Sequence, residues 1–183
     1  MENDIDRVVI NEGQIKERLE VLSKNLLNDY KGKDWTVIAV LNGSLVFLAD
    51  LIRLIPCSLR LDTISASTYG DSTFPKGETK LLSSIKDDIK GRDVLIIDDI
   101  VDTGSTLVKV IKEAWRYEPN SIKTCVLLNR PDRRKNNFEP DYCGFVIGND
   151  YVVGYGLDYD NRYRNLPYIG VLKPEVFQKS PYR

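Results

Sequence analysis

The sequence predicts an α/β fold built on a central, mostly parallel sheet flanked by helices. The runs "WTVIAVL" (35–41), "VLIID" (94–98) and "IKTCVLL" (122–128) are nearly all apolar, as strands buried on both faces must be. They alternate with segments whose apolar residues recur every three or four positions, the spacing of one buried helical face. The runs end in polar side chains: Asn42, Asp98 with Asp99, and Asn129. Ligands of parallel sheets bind at such carboxyl ends, so the chemistry is expected there.

The elements follow in order. Asn11 and Gln14 have the spacing of a capping box, Ile10 and Ile15 flank them as a hydrophobic staple, and Ile15, Leu19, Leu22 and Leu26 form one helical face. After the strand 35–41, "NGS" is a turn and "LVFLADLIRLI" (45–55) a helix that Pro56 breaks. "SLRLDTISAS" (58–67) alternates like a strand, and "TYGDSTFPKGETK" (68–80) is a polar loop of the length that often forms a lid. "LLSSI" (81–85) reads as a strand, "KGRD" as a turn, and 94–98 as the central strand. A helix is expected from Thr106 to about Tyr117 with Leu107, Val110, Ile111 and Ala114 inward. After the strand 122–128 come a basic loop, "NRPDRRKNNFEP" (129–140), and two short strands, "GFVIG" and "YVVGYGL". No repeat or linker interrupts the chain, so a single domain over 1–183 is expected.

Composition narrows the chemistry. Apolar residues make up 42% and charged residues 29%, as in an ordinary globular protein. A net charge of −1 argues against nucleic-acid affinity driven by bulk charge. The apolar runs are too short to cross a bilayer and the acidic N-terminus lacks a signal-peptide core, so a cytoplasmic protein without membrane contact is expected. Cys57, Cys125 and Cys143 show no metal or disulfide spacing. The chain has no histidine, which excludes His-based triads and His-ligated zinc. Acids and bases must then be carboxylates, Lys, Tyr or the substrate itself, and the metal to expect is Mg²⁺ on oxygen ligands.

The stretch "VLIIDDIVDTGSTL" (94–107) sets three carboxylates beside a small, hydroxyl-rich turn that can wrap a phosphate. A plain reading is a polar strand end with Asp102 or Thr103 capping the next helix. A receiver domain of two-component signalling is another, but here the acidic pair is mid-chain and the strand-end Thr and Lys of such domains are missing. A sugar phosphate satisfies both halves. Carboxylates accept from ribose hydroxyls, the turn holds the 5′-phosphate, and Mg²⁺ offsets the remaining charge.

The same stretch closely resembles the phosphoribosyl-pyrophosphate motif of type I phosphoribosyltransferases. Resemblance to the hypoxanthine-guanine members extends through "IAVLNGSLVFLADL", "ISASTYGD" and "LLNRPDRR" to "YVVGYGLDYDNRYRNLPYIGVL". The first motif specifies the superfamily, and the last points to a 6-oxopurine enzyme. The resemblance implies the type I phosphoribosyltransferase fold with a small hood subdomain, phosphoribosyl pyrophosphate and 6-oxopurines as substrates, Mg²⁺, and a homodimer or homotetramer.

It also implies roles. Asp98 and Asp99 match the pair that addresses ribose hydroxyls directly or through Mg²⁺, and Thr103, Gly104, Ser105 and Thr106 match the 5′-phosphate loop. Asp102 matches the carboxylate that manages the proton on purine N7. Asn42 and Gly43 match the pyrophosphate loop, where the family often has a cis peptide; the sequence leaves that geometry open. Thr68 and Tyr69 match the lid, and Arg164 matches the pyrophosphate-gripping arginine, with Arg162 on the surface. Tyr151 would stack on the purine, Val152 would offer its backbone to the base edge, and Asp158 would hold Mg²⁺ on the pyrophosphate side. Arg130 stands where the family usually has a Lys that donates to O6, which puts the ranking of hypoxanthine, guanine and xanthine in doubt. The alternative is an RNA-binding regulator on the same fold, as in pyrimidine-operon attenuators, for which the basic face would be Arg130, Arg133, Arg134 and Lys135.

Overall fold

The computed structural model describes residues 1–68 and 79–178. A six-stranded sheet forms the centre, in the order β4 (Thr79–Leu81), β3 (Arg60–Thr68), β2 (Trp35–Leu41), β5 (Asp93–Val101), β6 (Ser121–Asn129) and β7 (Tyr142–Val146). All neighbours are parallel except β4, which runs antiparallel to β3. Helices α1 (Glu12–Tyr30) and α2 (Leu45–Arg53) cover one face, and α3 (Ser105–Trp115) covers the other. Successive residues of β2 divide between the two cores: Val37 and Ala39 pack with Leu22, Leu26 and Phe47, whereas Ile38 and Val40 pack with Leu107, Val110 and Ala114. Burial on both faces is the reason these strands contain almost nothing polar.

The helix starts show how local chemistry sets the frame. At α1, Asn11 Oδ1 accepts from Gln14 N at 2.9 Å and Gln14 Oε1 accepts from Asn11 N at 2.9 Å, the expected capping box, with Ile10 and Ile15 both in the core. At α3 the outcome differs from the plain reading of the acidic stretch. Its N-cap residue is Gly104, in the left-handed region at φ 82°, rather than Asp102 or Thr103, although Thr103 Oγ1 accepts from the first helical N–H, that of Ser105, at 3.3 Å.

Several short elements depart from the pattern reading. "LLSSI" is extended only through Leu81, because Asp62 Oδ2 collects the backbone N–H groups of Lys86 (2.5 Å) and Asp87 (2.9 Å) and turns the chain. In "YVVGYGL" only β8 (Val152–Val153) is a strand, since Gly154, Tyr155 and Gly156 all take positive φ. Two strands carry no expectation from the sequence, β1 (Ile5–Ile10) and β9 (Ile169–Leu172). With β8 they form a small antiparallel sheet, β1-β9-β8, backed by Val153, Tyr163, Leu166 and Leu172. This is the hood, and it stands over the carboxyl side of β5 and β6. The short helix α4 (Pro174–Gln178) follows it. The lid expectation at Tyr69 lies outside the described residues, while the backbone of Thr68 closes β3 opposite Thr79.

Candidate active site

A cavity of about 310 Å³ opens between the carboxyl ends of β2 and β5. Asp98, Asp99 and Asp102 line it together with the turn 103–106. Within that turn, Thr103 Oγ1 lies 3.1 Å from Ser105 Oγ and accepts from Ser105 N at 3.3 Å. The first N–H groups of α3 have no intrahelical acceptor, which leaves donors beside the carboxylates. A second cavity of about 200 Å³ adjoins the first, and Asp99, Ile100 and Asp102 belong to both. Arg130, Arg133, Tyr151, Val152 and Asp158 bound this second space. The fold therefore gathers most of the residues singled out in the sequence into two connected compartments with Asp102 between them.

The acidic pair is held at close quarters away from water. Asp98 Oδ1 accepts from Asp99 N at 3.0 Å, and Asp99 Oδ1 accepts from Ile100 N at 2.9 Å. Burial pushes both carboxyls above the usual range; the charge of Asp99 pushes Asp98 further, whereas Arg164 draws Asp99 partly back. A cation would relieve this repulsion. Among the described residues no three carboxylates or thiols converge as a metal cage, and Asp98, Asp99 and Asp158 do not form one. That donor set fits Mg²⁺, which is held by one or two carboxylates with water and substrate oxygens completing its shell.

The raised pair predicts a stability effect. A carboxyl whose folded pKa exceeds its unfolded value, 3.8 for Asp98, favours the fold only while protonated. That contribution is complete below the unfolded value and lost as pH rises through the folded one, so neutral pH leaves a cost. Asp98→Asn keeps an acceptor for Asp99 N and removes a charge. We expect the free protein to gain about 1–2 kcal/mol and about 2–4 °C in Tm per kcal/mol at pH 7, while affinity for a sugar phosphate, the ligand expected from the acidic stretch, falls. Thermal unfolding with and without substrate checks both directions.

The turn after β2 is built against Asp99. The Leu41–Asn42 peptide is cis. Ser44 is buried and donates to Val40 O at 2.5 Å. A Cβ on Gly43 would lie 1.8 Å from Asp99 Oδ2 and 2.4 Å from its Cγ, so no side chain fits without moving the carboxylate. Gly156 in turn packs on the Gly43 carbonyl, where a Cβ would lie 2.1 Å away. Gly43→Ala is expected to displace Asp99 and to lower activity by at least about tenfold. A crystal structure of the variant with Asp99 unmoved would contradict this account.

Around the second cavity, Asp102 is set between two guanidinium groups. Its Oδ2 accepts from Arg130 Nη1 at 3.4 Å and Arg133 Nη1 at 3.5 Å, and its Oδ1 is buried without a hydrogen-bond partner among the described residues. Arg130 is 5% exposed; its Nε donates to Gly148 O at 2.9 Å and its Nη2 to Asp150 O at 2.7 Å. Tyr151 is half-buried, with its ring stacked on Phe177 and perpendicular to that of Tyr159. Burial pushes its phenol up to about 12, so it stays neutral. Asp158 pairs with Arg164 at 2.8 Å and accepts from Asn161 N at 2.8 Å, and Arg164 also donates to Gly156 O at 2.7 Å. Arg162 is exposed.

A larger cavity of about 630 Å³ lies between α1, α2 and the segment 164–167, and Arg164 lines this one rather than either of the other two. Its apolar wall includes Ile15, Leu19 and Leu166, and none of the three clustered aspartates lines it, so volume alone does not mark the chemistry. Sequence reasoning missed Arg133 as a brace for Asp102 and missed the Gly148 and Asp150 carbonyls that seat Arg130. The available signal was the basic loop, whose arginines turn toward the protein's own acceptors.

Comparison with known proteins agrees with this geometry. Residues 10–160 match the phosphoribosyl transferase domain family. A Lactococcus lactis protein named hypoxanthine-guanine phosphoribosyltransferase is 44% identical, covering 98% of this chain and 97% of its own. A Bacillus subtilis protein of the same name is 44% identical over 97% of this chain and 99% of its own. The crystal structure of a Staphylococcus aureus hypoxanthine phosphoribosyltransferase superposes with a TM-score of 0.91 at 41% identity, covering 97% of this chain and 96% of that one. With a type I fold, the acidic pair and phosphate turn in one cavity, and full-length relatives of one kind, the chain belongs to the hypoxanthine-guanine phosphoribosyltransferase family.

Proposed function

We propose that this protein is a purine-salvage enzyme that transfers the phosphoribosyl group of phosphoribosyl pyrophosphate to hypoxanthine, and to guanine. The bond from purine N9 to C1′ forms as the bond from C1′ to pyrophosphate breaks, giving the nucleoside 5′-monophosphate and pyrophosphate. The observation that carries this reading is the position of Asp102, shared by a cavity with a phosphate turn and a cavity with an aromatic wall and a buried cation.

Asp98 and Asp99 accept hydrogen bonds from the ribose hydroxyls, and the turn 103–106 donates to the 5′-phosphate. Tyr151 offers its ring to the purine, Val152 its backbone to the base edge, and Arg130 its remaining N–H groups to O6. Asp102 Oδ1, which lacks a donor, accepts the N7 proton as N9 attacks. Asn42, Gly43 and Arg164 face the pyrophosphate, and Thr68 and Tyr69 belong to the lid. Asp98 and Asp99 on the ribose side and Asp158 on the pyrophosphate side would hold Mg²⁺, which would supply positive charge against the departing pyrophosphate. The enzyme acts as a single-domain homodimer or homotetramer in the cytoplasm, without nucleic-acid or membrane partners. Family resemblance and a net charge of −1 support that setting.

Initial rates with hypoxanthine, guanine, xanthine, adenine and uracil, at fixed phosphoribosyl pyrophosphate and Mg²⁺, test the proposal. Turnover of hypoxanthine and guanine with adenine and uracil slower by orders of magnitude is the expected result. Adenine turned over as fast as hypoxanthine would overturn the 6-oxopurine reading.

A further inference from the structure

The phosphate compartment has a charge problem that its own turn does not solve. A dianionic phosphate entering it meets Asp98, Asp99 and Asp102, while the turn Thr103-Gly104-Ser105-Thr106 offers only neutral donors. Among the described residues lining that cavity, Lys135 is the one cation.

Lys135 comes from a different part of the chain, and the fold fixes it there. Its backbone N–H donates to Thr103 O at 3.1 Å, tying the basic loop to the phosphate turn. The next residue closes the contact from the other side. Asn136 lies over Gly104, where a Cβ would come within 2.6 Å of Asn136 Oδ1, and Asn136 Oδ1 also accepts from Phe138 N at 3.1 Å. Arg134 is drawn inward by Asn129 and stacks on Phe138, with its Nε and Nη1 buried and without a partner among the described residues but outside the lining of this cavity, and Arg133 bonds to Asn149 and Asp102. Lys135 itself is exposed and has no ion-pair partner among the described residues.

We infer that Lys135 is a phosphate-binding residue, supplying from the basic loop the positive charge for the substrate's 5′-phosphate that the phosphate turn lacks. A flexible four-carbon stem carrying a point charge suits an anion that arrives and leaves with each turnover. This inference rests on the transferase reading above.

The test compares Lys135→Ala, Lys135→Glu and Lys135→Arg with the unmutated enzyme. Lys135→Ala is expected to raise KM for phosphoribosyl pyrophosphate roughly tenfold, the scale of one charge-assisted hydrogen bond, with KM for hypoxanthine within about twofold. Lys135→Glu should raise it further, and Lys135→Arg should restore most of the affinity. Direct binding separates the phosphate from the rest of the ligand: inosine 5′-monophosphate should bind Lys135→Ala roughly tenfold more weakly, and inosine, which lacks the phosphate, equally well. An unmutated protein that does not consume phosphoribosyl pyrophosphate would defeat the transferase reading itself. An active enzyme whose Lys135→Ala variant keeps its KM and its affinity for inosine 5′-monophosphate would defeat the assignment of Lys135 alone. Equal losses for the monophosphate and for inosine would show a structural role and would also overturn it.

Discussion

Asp102→Ala is expected to lower kcat by roughly 10²–10⁴-fold, the range for a group that moves a proton in the transition state, with a modest change in KM for phosphoribosyl pyrophosphate. With no histidine in the chain, a carboxylate is the natural proton acceptor, and Asp102 alone of the three clustered aspartates meets Arg130 and Arg133. Its Oδ2 is occupied by these cations and its Oδ1 has no donor, so a base N–H would complete its hydrogen bonding. Truncation also leaves two arginines without their countercharge and should cost stability. Asp102→Asn separates the effects, since it retains an acceptor but loses the basicity. Steady-state rates of both variants check the assignment, and near-normal turnover in Asp102→Asn would remove proton transfer from its role.

Arg130→Ala is expected to lose about 10²–10³-fold in kcat/KM for hypoxanthine and guanine, with a loss of several kcal/mol in stability, as when one partner of a buried ion pair is removed. Burial lowers the guanidinium's pKa and the neighbouring Asp102 opposes that shift, and an arginine stays charged throughout, so the site holds a permanent buried cation. The side chain already serves Gly148 O, Asp150 O and Asp102, and its planar fork still has N–H groups to spare. A 6-oxopurine supplies an acceptor for them. Adenine would present an amino group instead, donor against donor, which buried sites reject strongly. Arg130→Lys should keep more activity than Arg130→Ala but lose stability, because one ammonium cannot span both carbonyls and the carboxylate. Rates with each purine, read beside Tm, distinguish recognition from support. Unchanged discrimination against adenine in Arg130→Ala would move the O6 contact elsewhere.

Much of the architecture was written locally. The period of Ile15, Leu19, Leu22 and Leu26, the Asn11–Gln14 box and the apolar strands 35–41 and 94–98 each specify their element from residues a few positions apart. The acidic pair and the phosphate turn are contiguous, so one stretch of sequence reveals them together. What the sequence left open depends on partners far along the chain. Strand β1 shows no buried alternation, with Val8 49% exposed, and exists because its backbone pairs with Gly170 and its neighbours in β9. The cis peptide at Leu41–Asn42 has no local marker. The basic loop has the composition of a solvated patch, yet it folds inward because Asp102, Asn129, Asn149 and two backbone carbonyls, all brought near by the strand order β5-β6-β7, supply acceptors for its arginines. Periodicity and motif are properties of neighbours in sequence; charge compensation is a property of neighbours in space, and only the folded chain determines which those are.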